Sequence, residues 1–445
     1  MKKGRLFIEG FLWAGVYLAL VLAPLGIVLL GPPPTQEAPR PFLTEFSVAL
    51  GFVGLSMMCL QFALTARFER IKAPYGSDIV YAFHRETSVI AALFVLVHPV
   101  LLFWTRDDMW QRINPLTAPP PALFGLAAVG CLLIIIVVSI WRRRIRLEYD
   151  LWRRAHAWLA VAAVVAGVVH IVLIGHYLDT PAQRGLWIAY VAAFVGLILW
   201  VRLLKPLKEL REPWIVREVL PERGGATSII LEPQGHPGIR FAPGQFAWIT
   251  LFHHPLSDRE HPFSFSGSAQ QAPRLKFTIR DLGDFTKRVQ GVTPGTVAYI
   301  DGPFGALSAD RHPHAKGFVL LAGGVGITPM VSHLETFADR GESRPIVLIY
   351  AVKTLAHATL QERIDALAPR LNLKVVHVLS EPPEGWTGER GFITRELLDR
   401  HCPPPDAGHE YFICGPDPMM DATERALSAR GVAMGDFHSE RFNLV

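Results

Sequence analysis

Two stretches decide the fold: DIVYAFHRETSVIAALFVLVHPVLLFW at residues 78–104 and LWRRAHAWLAVAAVVAGVVHIVLIG at residues 151–175. Each is long and apolar enough to cross a hydrocarbon layer about 30 Å thick as a single helix. Each also carries two histidines, His84 and His98 in the first and His156 and His170 in the second, fourteen positions apart in both. At about 100° and 1.5 Å per residue, fourteen positions return to within about 40° of the same face after a rise of about 21 Å. The two histidines of a helix therefore share a face and lie near opposite sides of the bilayer. An ionisable group at such depth is costly and normally has a partner. Two such helices running in one direction place one histidine pair at each level, a donor set suited to two flat metal macrocycles stacked across the membrane. Helix-to-helix packing is the plainer explanation for any one histidine, but a spacing that occurs twice favours ligation.

Working outward, six segments have the length and apolarity of membrane helices, near residues 6–30, 44–66, 79–104, 123–141, 151–178 and 186–204. The first follows the basic start MKKGR; its long apolar run and the absence of a clear small-residue cleavage site favour a retained helix over a signal peptide. Basic residues gather in alternate connections. Arg67, Arg70 and Lys72 follow the second helix, Arg142, Arg143, Arg144, Arg146, Arg153 and Arg154 the fourth, and Arg202, Lys205, Lys208 and Arg211 the sixth. The positive-inside bias then puts both termini and the second half of the chain in the cytoplasm, as expected for a multi-pass membrane protein. His84 and His156 fall on the cytoplasmic side, and His98 and His170 on the outer side. His176 does not share the ligand face and reads as interfacial. Half of the 445 residues are hydrophobic and the net charge is only +5, which leaves no nucleic-acid signature. None of the four cysteines falls in a predicted outer loop and no CxxC is present, so neither a structural disulfide nor an iron–sulfur site is expected.

After residue 211 the pattern changes. WIVREVL, ATSIILEP and QFAWITLF alternate with period two between Gly- and Pro-rich turns, as in a small antiparallel barrel. HPFSFSGS, LKFTIRDLGDFTKRV and DGPFG follow. The remainder alternates strand and helix, beginning with GFVLLAGGVGITPMVSHLETFAD, so the last domain is α/β. Glycines between a strand and a helix let a diphosphate approach the backbone at a helix N-terminus.

These motifs, in this order, resemble the ferredoxin–NADP reductase superfamily, and the six-helix half with its histidine pairs resembles the membrane domain of NADPH oxidases and ferric reductases. The resemblance covers nearly the whole chain. It implies a six-helix haem-binding membrane domain at 1–210, an FAD-binding antiparallel β-barrel domain at 211–312 and a parallel-sheet α/β NAD(P)H-binding domain at 313–445. His261, Pro262, Phe263 and Ser264 match its flavin motif, with histidine where soluble relatives usually have arginine. Gly283 and Thr286 are expected to help hold the FAD phosphates, and Gly302 and Gly305 of DGPFG belong to the same site. Gly323, Gly324, Gly326, Thr328 and Pro329, with Cys414, Gly415 and Pro416, are expected to hold the nicotinamide nucleotide. Phe442, in the ending HSERFNLV, is the expected aromatic shield of the flavin. Ser264, Cys414 and Phe442 are the catalytic candidates, with no nucleophilic chemistry assigned to Cys414. The metal ligands are His84, His98, His156 and His170.

The resemblance further implies electron flow from NAD(P)H through FAD and two b-type haems to an outer acceptor. Oxygen, giving superoxide, is expected ahead of a ferric chelate. Lys353 and Glu381 point in opposite directions on NADH against NADPH, which leaves that choice open. A haem-free, membrane-anchored flavin reductase serving a cytosolic partner is the other class of activity these residues allow; a non-catalytic scaffold is a third.

Overall fold

The computed structural model describes residues 2–31, 40–68, 76–114 and 116–441. It divides into two compact units, one built from the apolar helices up to Lys205, and one from Pro206 onward together with the start of the third helix up to Asp78.

The first unit contains α1 (Lys2–Leu29), α2 (Phe42–Thr65), α3 (Ser77–Thr105), α4 (Pro120–Trp141), α5 (Tyr149–Ile174) and α6 (Pro181–Leu199). All six are long and apolar enough to cross a membrane. Of the boundaries that differ from the sequence expectation, two have a clear local cause. Helix α5 stops at Ile174 because Gly175 adopts φ +72°, a left-handed cap that glycine enters without strain. His176 therefore lies beyond the helix, edge-on to Tyr177. Helix α6 starts earlier, at Pro181, because Thr180 and Gln183 form a reciprocal capping box. A π-helical turn at Trp200–Leu204 carries it into α7 (Lys205–Arg211).

Helix α2 is the most enclosed of the six. On one side Phe52, Leu55 and Cys59 pack with Val164, Trp187 and Phe194 of α5 and α6. On the other, Val53 and Met57 meet Val21 of α1 and Ala91 of α3. Large apolar side chains such as Leu12, Val89, Leu93, Ile134, Val165 and Ile188 point outward. In water such a surface would be an aggregation hazard; in lipid it is the expected outer face.

The second unit opens with an antiparallel six-stranded sheet: β1 (Trp214–Glu222), β2 (Ala226–Pro233), β3 (Phe246–Leu251), β4 (His261–Ser264), β5 (Leu275–Arg280) and, after α8 (Asp284–Val289), β6 (Val297–Phe304). Their order is β4-β3-β6-β1-β2-β5. A bridge from Phe265, just past β4, to Phe277 of β5 curls the two ends toward each other. Trp214, Ile229, Leu231, Phe265 and Phe277 fill the interior, each such side chain contributing about 1.5–3 kcal/mol on full burial.

Next come β7 (Gly317–Gly323), α9 (Ile327–Arg340), β8 (Ile346–Val352), α10 (Gln361–Leu367), β9 (Leu373–Leu379), β10 (Glu389–Arg390), α11 (Arg395–His401), β11 (His409–Cys414), α12 (Asp417–Arg430) and β12 (Phe437–Ser439). The strands form one sheet in the order β10-β9-β8-β7-β11-β12, and all its pairings are parallel. Helices α9 and α10 cover one face, and α11 and α12 the other. The strand order reverses between β7 and β11, and in open parallel sheets ligands bind beyond the strand ends at such a switch point.

Candidate functional site

In the membrane unit, α3 and α5 bring the predicted outer histidines together. The rings of His98 and His170 lie 6.4 Å apart, centroid to centroid. A metal held between two imidazoles at about 2.0–2.1 Å from each nitrogen would separate the ring centres by about 6 Å, so the spacing fits one ion held by both rings. One backbone device orients both rings. His98 Nδ1 lies 2.8 Å from the Ser47 carbonyl, and His170 Nδ1 lies 2.7 Å from the Pro121 carbonyl. Four residues beyond each carbonyl stands a glycine. A Cβ on Gly51 would come within 3.3 Å of the His98 ring, and one on Gly125 within 3.0 Å of His170 Nδ1. A helical carbonyl normally serves the N–H four residues on; leaving that residue without a side chain opens room for an imidazole to share the acceptor. With Nδ1–H donated to a carbonyl, Nε2 keeps its lone pair for a metal, the usual arrangement of metal-binding histidines. Ser47 Oγ adds a hydrogen bond to the His98 carbonyl at 2.7 Å. The inner histidines differ: the Nδ1 atoms of His84 and His156 are buried with no hydrogen-bond partner among the described residues. Buried imidazole nitrogens of this kind suit a bound group. The donor sets therefore fit the two haems expected from sequence.

In the second unit, β4 and α8 assemble the flavin-motif residues. The His261 ring stacks on Phe285 at 3.8 Å and 13°, and Phe263 stands 6.0 Å from the same ring. Pro262 pairs across to Trp248, and Ser264, buried at the strand end, to Phe246. Arg288 lies over Phe252 at 4.5 Å and approaches His253, as does Arg259. Cationic charge is thus close by, although His261 itself carries no permanent charge. Thr286 Oγ1 accepts hydrogen bonds from the Leu282 and Gly283 amides, both at 2.8 Å. Those two amides therefore hold the loop closed, and only the later N–H groups of α8 are left for an anion.

Gly302 and Gly305 lie at the end of β6 and just past it. A Cβ on Gly302 would meet Ala247 at 2.9 Å, and one on Gly305, at φ +100°, would meet Glu440 Oε2 at 2.7 Å. Glu440 is only 3% exposed, and burial raises its carboxyl to about 8. Sequence reasoning passed over it, although the ending HSERF placed it two residues before the expected aromatic. Phe442 itself lies outside the described residues.

The nucleotide motif sits at the switch point. Gly323 ends β7, Gly324 to Gly326 form a tight turn, and α9 begins. The turn abuts the end of β11, where Cys414 lies opposite Ala322. A Cβ on Gly326 would strike the Cys414 carbonyl at 2.3 Å, and one on Gly415 would meet Gly323 Cα at 3.1 Å. These glycines are required for backbone-on-backbone packing. Gly324, at φ +53°, has Arg280 Nη1 3.5 Å from the position of its absent Cβ, which brings a guanidinium to the turn from β5. Thr328 Oγ1 donates to the Val325 carbonyl; Pro329 turns its carbonyl to buried His333; Pro416 precedes α12. Burial holds the Cys414 thiol well above its ordinary range, which keeps it neutral and suits a packing role. At the ends of β8 and β9, Lys353 and Glu381 form an exposed ion pair at 2.9 Å.

Two family models match the chain: a ferric reductase-like transmembrane component over residues 50–167 and an oxidoreductase NAD-binding domain over residues 320–425. The chain has a ferric reductase- and NADPH oxidase-like architecture. Its first half is a multi-pass membrane domain. Among curated proteins it is 33% identical to NADH-cytochrome b5 reductase 1 of Pyricularia oryzae over 34% of this chain and 49% of that one. It is 33% identical to a flavohemoprotein of Oceanobacillus iheyensis over 48% and 55%, and 28% identical to the toluate 1,2-dioxygenase electron transfer component of Pseudomonas putida over 46% and 59%. The chain thus spans about half the length of the curated relatives it matches.

Proposed function

We propose that this protein is an NAD(P)H-dependent transmembrane oxidoreductase, passing electrons from a cytosolic nicotinamide through FAD and two bis-histidine b-type haems to an outer acceptor. When bound, the nicotinamide supplies hydride, the flavin divides it, and the irons carry single electrons. The observation that carries the reading is the His98–His170 pair, with both rings held through Nδ1 by backbone carbonyls. Those residues fix the direction of the Nε2 lone pairs. His84 and His156 provide the second, inner pair. In the reductase unit, His261, Phe263 and Phe285 offer a flat aromatic wall, Ser264 a hydroxyl, and Arg288 or Arg259 the cation that His261 does not permanently provide. Gly323 to Gly326 and Arg280 receive the nucleotide diphosphate. Glu440, neutral below about pH 8, holds a proton beside Gly305.

In this reading the membrane is a bacterial inner membrane with both termini on its cytoplasmic side, so that each electron moved outward gains about 2.3 kcal/mol per 100 mV. Molecular oxygen, giving superoxide, is the acceptor favoured by resemblance. A ferric chelate is the second reading, supported by the ferric reductase-like match over residues 50–167. The test uses one detergent-solubilised preparation. Its b-type haem content is measured spectrally, and NAD(P)H-reduced haem is then reoxidised with oxygen or with a ferric chelate. Two haems per chain and rapid reoxidation by oxygen are expected. Faster reoxidation by the chelate reverses the acceptor, and a haem content near zero leaves only a membrane-anchored flavin reductase.

A further inference from the structure

Glu410, His312 and His438 converge away from the nucleotide turn. Glu410 lies near the start of β11 and His438 in β12, and the parallel register pairs Phe412 with His438. Glu410, two residues before Phe412, therefore projects from the same face as His438. His312, from the turn after residues 309–311, lies against that face: its ring stands 4.1 Å from His438 and 5.9 Å from Phe412. One Glu410 oxygen lies 3.2 Å from His312 Nδ1 and the other 2.7 Å from His438 Nε2. All three potential donor atoms fall within 4.8 Å of one another.

We propose that His312, Glu410 and His438 form a divalent-metal site, for which zinc is the best-suited ion. Two imidazoles and a carboxylate are a zinc donor set that leaves one position for water. Bonds of about 2.0–2.1 Å to a tetrahedral ion put neighbouring donors about 3.3 Å apart, a spacing the three donors, already within 4.8 Å of one another, reach by small side-chain shifts. The charge balance points the same way. Glu410 is mostly buried, and among the described residues no lysine or arginine forms an ion pair with it; its partners are two imidazoles. The two imidazoles already hold this carboxylate in its ionised form, and a divalent ion would take the place of the protons they share with it. The contrast with Glu389 is direct, because Arg400 joins His401 on that carboxylate. His333, although 5.2 Å from Phe412, is no candidate, since its nitrogens serve the Pro329 carbonyl and the Ala309 amide. All three ligands remain partly exposed, so an ion can enter. Bound there, it ties β12, two residues before Glu440, to β11 and to the segment linking the two sheets.

The experiment uses the full-length, tag-free protein in detergent, dialysed against micromolar Zn(II) and, separately, Mg(II), followed by metal analysis. The wild type is expected to hold one zinc more per chain than His312→Asn or His438→Asn, with affinity lowered about tenfold or more in each variant. No comparable magnesium uptake is expected, since that ion prefers an all-oxygen octahedron. Flavin content reports whether each variant is folded; if both histidine variants lose it, Glu410→Gln, which keeps the shape and the hydrogen-bonding capacity, carries the comparison. Equal zinc content in wild type and folded variants overturns the site, as does a wild type that takes up no zinc.

Discussion

The two halves of this molecule build their sites in opposite ways. In the membrane unit the functional atoms are added: His98 and His170 project imidazoles that backbone carbonyls then orient. In the reductase unit the decisive feature is often what is missing, since Gly326 and Gly415 must lack a Cβ for the ends of β7 and β11 to close on each other. A lipid-embedded site has no water to complete a polar group, so each donor needs an internal partner. A nucleotide site at a sheet's switch point instead offers backbone, which works only when uncovered.

The sharpest way to break this contrast is to remove an added atom. His98→Leu is expected to lower haem from two per chain to one and to cut reduction of the outer acceptor more than about a hundredfold, while NAD(P)H still reduces the flavin. Retained haem in a folded sample would end the outer-pair assignment. Adding an atom where none fits comes next. Gly326→Val puts side-chain carbon into the Cys414 carbonyl and is expected to slow NAD(P)H-driven flavin reduction about a hundredfold in stopped-flow traces, or some 2.7 kcal/mol on the barrier. Flavin binding should survive. Gly125→Val crosses the categories, because it adds bulk in the half that depends on added donors. By displacing His170 it is expected to weaken outer haem retention about tenfold, read as loss from one haem band during dialysis, with the inner band unchanged.

The smallest effect concerns Glu440. Its carboxyl is ordinarily near 4.5 and is raised by burial to about 8. Between those values the unfolded chain is ionised while the folded chain keeps its proton. The stability that Glu440 contributes is therefore fully present below about pH 4.5 and is lost as pH rises toward 8. Glu440→Gln is expected to flatten that decline, shifting Tm by a few degrees at the alkaline end. An unchanged slope would mean that other groups set it.

Much of this was legible in the sequence because it is periodic or local. Fourteen-residue histidine spacing, positive connections and a glycine turn between strand and helix need only neighbours along the chain. The end of α5 was legible too, had Gly175 been weighted as a cap. What stayed hidden depends on distant segments meeting. Phe285 matters because β4 turns His261 onto it, Arg280 because the end of β5 reaches Gly324, and Glu440 because it packs under Gly305. The Gly283 amide, expected to face the FAD phosphates, instead donates to the Thr286 hydroxyl. The carbonyl and glycine pairs, Ser47 with Gly51 and Pro121 with Gly125, carry no local pattern that separates them from ordinary helix packing.

Those two pairs also bear on how the membrane half is made. Ser47 and Gly51 belong to α2, and Pro121 and Gly125 to α4, while the histidines they seat arrive on α3 and α5. Chains emerge from the ribosome N-terminus first, so each receptor groove is synthesised before the imidazole that fills it. Assembly then follows translation as a succession of keys meeting locks already cut.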